Sequence, residues 1–205
     1  MQIKILPVGS LATNCYVISR ENVIVIDPGA EAEKIISEIE KLSLPLTHII
    51  YTHAHGDHTG AAYDLKEMYE SAEVSMGSKD VDLLQSKSSL DQLLGLSGKP
   101  AEPDRLLNEG DIIQSGSIEL KVIETPGHTA GGISLYFEDS LFSGDTIFLN
   151  SIGRTDLAGG NLEDIKNSII NKIYKLDDNV KIYPGHGPPT NVGWEKKNNL
   201  YCAIQ

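Results

Sequence analysis

The chain has few cysteines, no cluster of basic residues and no long apolar run. Its two cysteines, Cys15 and Cys202, stand near opposite ends of the 205 residues and outside any CxxC pair. A disulfide framework is therefore excluded, and two reduced, packed thiols are the expected state. No apolar stretch approaches the roughly 18 residues that a membrane helix needs.

The charge balance and the start of the chain exclude further classes. There are 29 acidic against 17 basic residues, which gives a formal charge of −12, and no Lys/Arg run stands out. A polyanionic partner is therefore disfavoured, so we expect neither nucleic acid nor a membrane surface. Pro7, Gly9 and Asn14 interrupt the first residues, which lack the apolar core of a signal peptide. A cytoplasmic location is expected.

What is present is typical of one globular domain over residues 1–205, with 40% hydrophobic and 22% charged residues. Apolar β-branched runs alternate with amphipathic stretches, which predicts an α/β fold. Gly and Pro break residues 78–107, which predicts short helical pieces that form either a lid or an ordinary surface excursion. The predicted strands are 3–6, 16–19, 23–26, 47–52, 111–114, 118–123, 133–137, 141–143 and 180–183. The predicted helices are one with Glu31 and Glu33 near its N-terminus and its apolar face at residues 35–42, and three others over 61–69, 162–176 (with Asn161 as N-cap) and 193–199.

Four potential metal ligands stand within six residues, between a predicted strand and a predicted helix. They are His53, His55, Asp57 and His58, in the segment Thr-His-Ala-His-Gly-Asp-His. Two histidines two positions apart can converge from an extended segment, and the adjacent Asp-His pair can point to different places. Imidazole together with carboxylate suits a borderline divalent ion such as zinc, iron or manganese.

Three further candidates, His128, Asp145 and His186, each follow a predicted strand and a glycine-containing turn. Strand ends at one edge of a sheet are where ligands collect in α/β proteins. His48 lies inside a strand and is assigned to the core or to a supporting role. Seven ligands exceed the need of one tetrahedral ion, so two ions about 3.5–4 Å apart are expected to share a carboxylate. Spacing alone leaves Asp57 and Asp145 open as the bridge.

These motifs, with Thr-Pro-Gly-His, Ser-Gly-Asp-Thr and Pro-Gly-His-Gly, resemble in order those of the metallo-β-lactamase fold superfamily. The resemblance spans the chain and implies an αβ/βα four-layer sandwich of two mixed β-sheets flanked by helices, with the metals at one edge. For Asp27 it implies a position beneath the site, and a plain strand-end turn is the alternative. It also implies that His53, His55 and His128 hold the first metal, that Asp57, His58 and His186 hold the second, and that Asp145 bridges.

Within the superfamily the chain is similar to the glyoxalase II group, the hydroxyacylglutathione hydrolases. The similarity rests on Thr-Asn-Cys-Tyr at 13–16, Thr-Ala-Gly-Gly after His128 and Ile-Gly-Arg-Thr-Asp at 152–156. Glyoxalase II has an extra C-terminal helical domain that contacts glutathione, whereas this chain stops soon after Trp194. Asp156 also stands where an aromatic residue is expected. The resemblance is therefore to short, single-domain glyoxalase II-like hydrolases.

The resemblance implies a hydrolase that cleaves a small-molecule thioester of the S-acylglutathione kind, or a related ester, by a metal-bridged hydroxide. Two divalent ions are implied, with zinc preferred over iron or manganese. Asp57 would orient the hydroxide and take its proton. Arg154 would bind a substrate carboxylate, unless it pairs with Asp156.

Three other functions stay open, and one is disfavoured. A mono-iron persulfide dioxygenase is one alternative, because those enzymes share a Gly-Arg-Thr-Asp segment. Lactone hydrolysis and a non-catalytic metal-binding module are the others. A β-lactamase is disfavoured, because Cys usually replaces Asp145 there. The sequence leaves open the acyl group, the thiol carrier, the metal and the oligomeric state.

Overall fold

A six-stranded mixed sheet forms the first half of the computed structural model, which describes residues 1–86 and 98–204. Its strands lie in space in the order in which they occur along the chain. The first three pair antiparallel, and the third to sixth pair parallel. The strands are β1 Gln2–Val8, β2 Thr13–Ser19, β3 Val23–Ile26, β4 Leu46–Tyr51, β5 Glu73–Gly77 and β6 Arg105–Leu107.

The second half forms another six-stranded mixed sheet and a small hairpin. The new strands are β7 Ile112–Ser115, β8 Ile118–Glu124, β9 Ile133–Phe137, β10 Ser140–Gly144, β11 Ile147–Phe148, β12 Ser151–Ile152, β13 Lys181–Pro184 and β14 Thr190–Asn191. The sheet order is β14-β13-β10-β9-β8-β7, and β11 pairs with β12. Only β10 and β13 run parallel among the neighbours in this sheet, in the part of the chain described.

The β3 strand shows why two sheets and two helical layers are needed. Successive side chains point to opposite faces of a strand, so a continuous apolar run needs apolar cover on both faces. Val23 and Val25 pack into one core with helical residues, whereas Ile24 and Ile26 pack against residues of the second sheet. All four are fully buried.

Helices cover the outer faces of both sheets. Ile35 and Ile39 of the first helix pack on the first sheet, and Ile165 and Ile169 pack on the second. The order helix, sheet, sheet, helix confirms the expected αβ/βα sandwich. The helices are α1 Ala32–Leu42, α2 Gly56–Thr59, α3 Ala62–Met68, α4 Val81–Gln85, α5 Leu162–Asn171 and α6 Val192–Asn198, with 3₁₀ turns at Ser78–Asp80 and Ile173–Lys175.

The strands that precede the candidate ligands all end at the same edge of the sandwich. His53 follows β4, His128 follows β8, Asp145 follows β10 and His186 follows β13. A backbone hydrogen bond from Ile133 N to Thr52 O, 2.8 Å long, joins the two sheets at this edge. The fold thereby brings together ligands that lie far apart along the chain.

Most predicted elements are present, and the differences are local. The helix expected to reach residue 176 ends at Asn171, and a 3₁₀ turn follows. Strands β5, β6, β11, β12 and β14 were not predicted. In the segment 78–107 a 3₁₀ turn, α4 and β6 are found, while residues 87–97 lie outside the described part, so the choice between lid and excursion is not tested there. Both cysteines are free and buried. Within the residues described, no helix is long and apolar enough to cross a membrane.

Helix α5 begins with the predicted cap. The Asn161 side chain accepts hydrogen bonds from Glu163 N at 2.8 Å and Asp164 N at 3.2 Å. Asn161→Ala should lower the free energy of unfolding by about 1 kcal/mol, because two N–H groups of the first turn lose their acceptor. Urea unfolding at a fixed metal concentration measures the loss. Asn167→Ala, at an exposed position within α5, is the control and should change stability little; equal losses in both variants would contradict a specific cap.

Candidate metal centre

The loop after β4 carries four of the seven candidates. A close backbone contact fixes the path of this loop. His53 and His55 extend from the strand end, and Asp57 and His58 lie on the single turn of α2. A Cβ atom at Gly29 would overlap the main-chain carbonyl of Asp57. The turn after β3 therefore packs directly on the backbone of α2, which only glycine permits.

Three imidazoles form the first donor group: His53, His55 and His128. One ring nitrogen of each lies within 4.8 Å of the others. His55 Nδ1 and His128 Nε2 are 2.9 Å apart. The rings meet edge to face, with centroids 4.7–4.8 Å apart, so their nitrogens converge on one point.

The second donor group is Asp57, His58 and His186. Asp57 Oδ2 lies 3.2 Å from His186 Nε2 and 3.5 Å from His58 Nε2. The two imidazole nitrogens are 3.3 Å apart. These three side chains therefore surround a second point.

Asp145 lies between the two groups. Its Oδ1 is 3.5 Å from His58 Nε2, and its Oδ2 is 3.6 Å from His128 Nε2 and 3.5 Å from His186 Nε2. By contrast, Asp57 has its close contacts with His58 and His186 of its own group. The structure thus brings all seven predicted residues together and gives Asp145 contacts with both groups.

Outer hydrogen bonds fix which nitrogen of four imidazoles faces inward. Nδ1 of His58 donates to Asp27 Oδ2 (3.0 Å), Nδ1 of His128 to the Arg154 carbonyl (2.7 Å) and Nδ1 of His186 to the Leu11 carbonyl (3.1 Å). In His53, Nδ1 lies 3.1 Å from the Thr52 hydroxyl, which itself donates to Asp27. The Nε2 of each of these rings therefore faces into the site, where it can bind a cation.

This arrangement fits divalent cations and is costly without them. Three buried side-chain polar atoms in the described residues lack a hydrogen-bond partner, and two of them are His53 Nε2 and Asp145 Oδ1. An unpaired buried polar atom costs about 1–3 kcal/mol. His58 Nε2 and His186 Nε2 also face each other at 3.3 Å, and they repel unless a proton or a cation lies between them. A cation between such donors removes both penalties, and imidazole with carboxylate suits zinc, iron or manganese.

The balance of charge also attracts cations. Burial lowers the pKa of His58, but the charges of Asp145, Asp57 and Asp27 outweigh it and raise that pKa to about 10. Burial and the neighbouring imidazoles lower the pKa of His55 to about 4. Without a cation, one buried imidazolium therefore offsets the surrounding carboxylates. A metal ion at His58 replaces that proton.

The structure decides the role of Asp27. Its side chain is fully buried, and its Oδ1 accepts a hydrogen bond of 2.7 Å from Thr52 N. Its Oδ2 accepts from the Thr52 hydroxyl and from His58 Nδ1. Asp27 therefore lies beneath the site, as the resemblance implied, and is more than a strand-end turn.

Two further side chains of the site, those of Asp80 and Thr13, were not predicted from the sequence. The buried Asp80 accepts hydrogen bonds from residues next to His55 and His128, and the Thr13 hydroxyl donates to Asp57 Oδ2 at 3.0 Å. Asp80 lies outside every motif used above. Thr13 belongs to Thr-Asn-Cys-Tyr, a segment that indicated the resemblance to glyoxalase II but did not predict the contact with Asp57.

The remaining predictions concern Arg154 and His48. Arg154 Nε and Nη2 donate to the two carboxylate oxygens of Asp156 at 2.7 and 2.8 Å, which is the alternative pairing. Both side chains are exposed, so binding of a substrate by Arg154 stays a prediction. His48 lies in β4, with Nδ1 2.9 Å from its neighbour's hydroxyl. Of the candidate groups that the described residues form, none includes His48.

The chain belongs to the metallo-beta-lactamase superfamily, whose profile matches residues 8–186. Hydroxyacylglutathione hydrolase GloC of Haemophilus influenzae is 38% identical over 207 residues, which cover 98% of this chain and 98% of that protein. The family and the histidine–aspartate groups together identify a metallohydrolase.

Three solved structures have the same fold as this chain, and their names indicate different activities or metals. BLEG-1 B3 metallo-beta-lactamase is 34% identical with a TM-score of 0.92, covering 99% of this chain and 100% of that one. TTHA1623 in a di-iron-bound form is 32% identical with a TM-score of 0.88, covering 97% and 99%. ETHE1 from Myxococcus xanthus is 27% identical with a TM-score of 0.83, covering 99% and 85%.

Two histidines seven positions apart, His48 in β4 and His55 in the loop that follows it, give a matched test of the site. His55→Ala should lower the metal content, because it removes a donor that lies 2.9 Å from His128 Nε2. His48→Ala should leave the metal content unchanged, since His48 belongs to no candidate group among the residues described. Elemental analysis of both purified variants, with circular dichroism as a check on folding, measures the difference. Metal loss in His48→Ala alone would mean that the histidines are wrongly assigned.

Proposed function

We propose that this protein is a binuclear metallohydrolase that cleaves thioesters of the S-acylglutathione kind. The observation that carries the proposal is the meeting of two three-donor groups at Asp145. In this proposal His53, His55 and His128 would hold the first ion, and Asp57, His58 and His186 would hold the second. Asp145 would serve both, because a carboxylate has two oxygens to share.

The metals we propose are two divalent ions, with zinc preferred over iron or manganese. The similarity to a protein solved in a di-iron-bound form keeps iron in the set. When bound, such ions act as Lewis acids and bring the pKa of a coordinated water toward neutrality. Elemental analysis decides both the number and the identity of the ions.

Asp57 is the residue we assign to proton handling. Burial raises the pKa of its carboxyl, but His58 and His186 outweigh burial and lower it, so Asp57 stays ionised and accepts hydrogen bonds. The Thr13 hydroxyl at 3.0 Å fixes the orientation of its carboxylate. The ionised carboxylate can align an attacking water by accepting a hydrogen bond from it, and we also assign to Asp57 the acceptance of that water's proton.

The chemistry of a thioester suits this set of side chains. The oxygen of water forms a bond to the acyl carbon, the carbon–sulfur bond breaks, and the electron pair leaves with sulfur. A free thiol has a pKa near 8.5, so the thiolate departs without a strong general acid. The thiolate takes up the proton that Asp57 accepted from water, the new carboxylic acid releases the other proton, and the products are a carboxylate and a thiol.

The sequence relative supports the substrate class. The protein named hydroxyacylglutathione hydrolase GloC aligns with this chain over 98% of its own length. Its name therefore does not depend on a domain beyond the matched region. That supports a glutathione thioester as the first substrate to test. The partner that we propose is therefore a small-molecule thioester.

The central test combines metal content with a substrate panel. Metal-replete protein should hold about two ions per chain and hydrolyse S-lactoylglutathione. Removal by a chelator should abolish hydrolysis, and added zinc, manganese or iron should restore it. A lactone and a β-lactam belong in the panel, and the preferred substrate by kcat/KM decides the class. Unchanged activity after complete metal removal would refute the proposal. A single iron with oxygen uptake on a persulfide would identify a dioxygenase instead.

The role of Arg154 needs a test of its own. If Arg154 binds a substrate carboxylate, Arg154→Ala should raise KM several-fold for charged thioesters and leave neutral ones unchanged, because only the charged ones lose a charge-assisted contact. Asp156→Ala removes its present partner and should lower KM for the same charged substrates. Steady-state kinetics on matched thioesters measures both. Equal changes for charged and neutral substrates would make Arg154 structural.

A further inference from the structure

We propose that separate hydrogen-bond supports hold the two donor groups, so that the metal affinity of each can be changed without the other. Asp80 supports the group of His53, His55 and His128. The segment 11–14, at the end of the β1–β2 loop and the start of β2, supports the group of Asp57, His58 and His186, chiefly through Thr13. The inference rests on the metal centre proposed above.

Asp80 ties together the two loops of the first group. Its side chain is 1% exposed. Its Oδ2 accepts hydrogen bonds from Ala54 N at 3.1 Å and from the Thr129 hydroxyl at 2.7 Å, and its Oδ1 accepts from Gly131 N at 2.6 Å. Ala54 lies between His53 and His55, and Thr129 follows His128. One carboxylate thus fixes the distance between the loops that carry these imidazoles.

A Cβ atom would not fit where these loops approach. At Gly131 it would overlap Asp80 N, and at Gly77 it would overlap the Gly131 carbonyl. The chain after β5 therefore packs backbone against backbone on the loop that follows His128. Asp80 has little freedom to move away, so a change of its carboxylate acts directly on these loops.

The second group has a support from a different part of the chain. The Thr13 hydroxyl donates to Asp57 Oδ2 at 3.0 Å, and the Leu11 carbonyl accepts from His186 Nδ1 at 3.1 Å. Asn14 Nδ2 donates to the carbonyls of Pro184 and Gly187, both at 2.9 Å. The segment 11–14 therefore fixes Asp57 and both sides of His186.

The two supports share no residue. The partners of Asp80 are Ala54, Thr129 and Gly131, which belong to the loops of the first group. The side-chain partners of residues 11–14 belong to the second group and its loop. Asp27 is different, since it accepts from His58 and also from Thr52, which contacts His53. A change at Asp27 should therefore affect both groups.

The test uses two backgrounds that each leave one group intact. His186→Ala leaves the first group, and His55→Ala leaves the second. Zinc affinity is measured in each by competition with a chromophoric chelator. Asp80→Asn should weaken zinc binding about 10–100-fold in the His186→Ala background and leave it unchanged in the His55→Ala background, because its amide cannot accept from N–H donors on both sides. Thr13→Val should give the reverse pattern.

A second variant and a control keep the test sharp if Asp80→Asn folds poorly. Thr129→Val removes one buried hydroxyl from the first support, as Thr13→Val does from the second, and should weaken the first group alone. Glu195→Gln is the control. Glu195 is a fully buried carboxylate that accepts from Asn150 N and the Thr190 hydroxyl, away from the seven donors. It should leave zinc affinity unchanged in both backgrounds.

The outcomes separate this inference from the proposed function. Equal losses in both backgrounds, from Asp80→Asn and Thr129→Val alike, would overturn separate supports. The expected pattern without any thioester hydrolysis would support the inference and reject only the thioesterase. A parent protein that binds no zinc would overturn both.

Discussion

Nitrogen atoms of neighbouring imidazoles face one another across this site, and the rest of the structure must hold them there. His58 Nε2 and His186 Nε2 are 3.3 Å apart, and His55 Nδ1 and His128 Nε2 are 2.9 Å apart. Each pair repels unless a proton or a cation lies between the nitrogens. The surrounding chain therefore has to supply rigidity before any ion arrives, and it does so with hydrogen bonds on the outer side of each ring.

The sandwich supplies that rigidity through its apolar layers. Between the sheets, residues such as Ile24 and Phe142 are fully buried, and the outer faces are covered by helices. The edge where β4, β8, β10 and β13 end is consequently fixed from both sides. Loops that leave a fixed edge can place polar side chains with little freedom, which is what a strained donor set requires.

The sequence was sufficient to predict which seven side chains meet at this edge and most of the fold, because the signals for both are local. His53, His55, Asp57 and His58 stand in one segment, and each remaining donor follows a strand and a glycine. Strand β3 was predicted with its observed bounds, because four consecutive β-branched residues strongly favour a buried strand over a helix or a loop. Such signals lie within a few residues of the feature they predict.

The supporting residues could not be predicted, because their partners are distant. Asp80 lies 49 residues from Thr129, and Thr13 lies 44 from Asp57. Nothing near Asp80 marks it as different from an ordinary polar residue of a turn, and the segment around Thr13 indicated a family resemblance but no contact with Asp57. The helix expected to reach residue 176 shows the converse error. Ile173 is buried as the apolar period predicted, but it lies in a 3₁₀ turn, since the period marks burial more strongly than helix length.

Strand β13 pairs in parallel with β10 but follows it only after a long stretch of chain. The two donor groups are therefore completed at different times during synthesis. Asp145 follows β10 directly, but β13 and His186 are synthesised about forty residues later. A growing chain therefore acquires every donor of the first group before it acquires the last donor of the second. During translation, the three-histidine group is chemically complete while its neighbour still lacks one ligand and the strand that positions it.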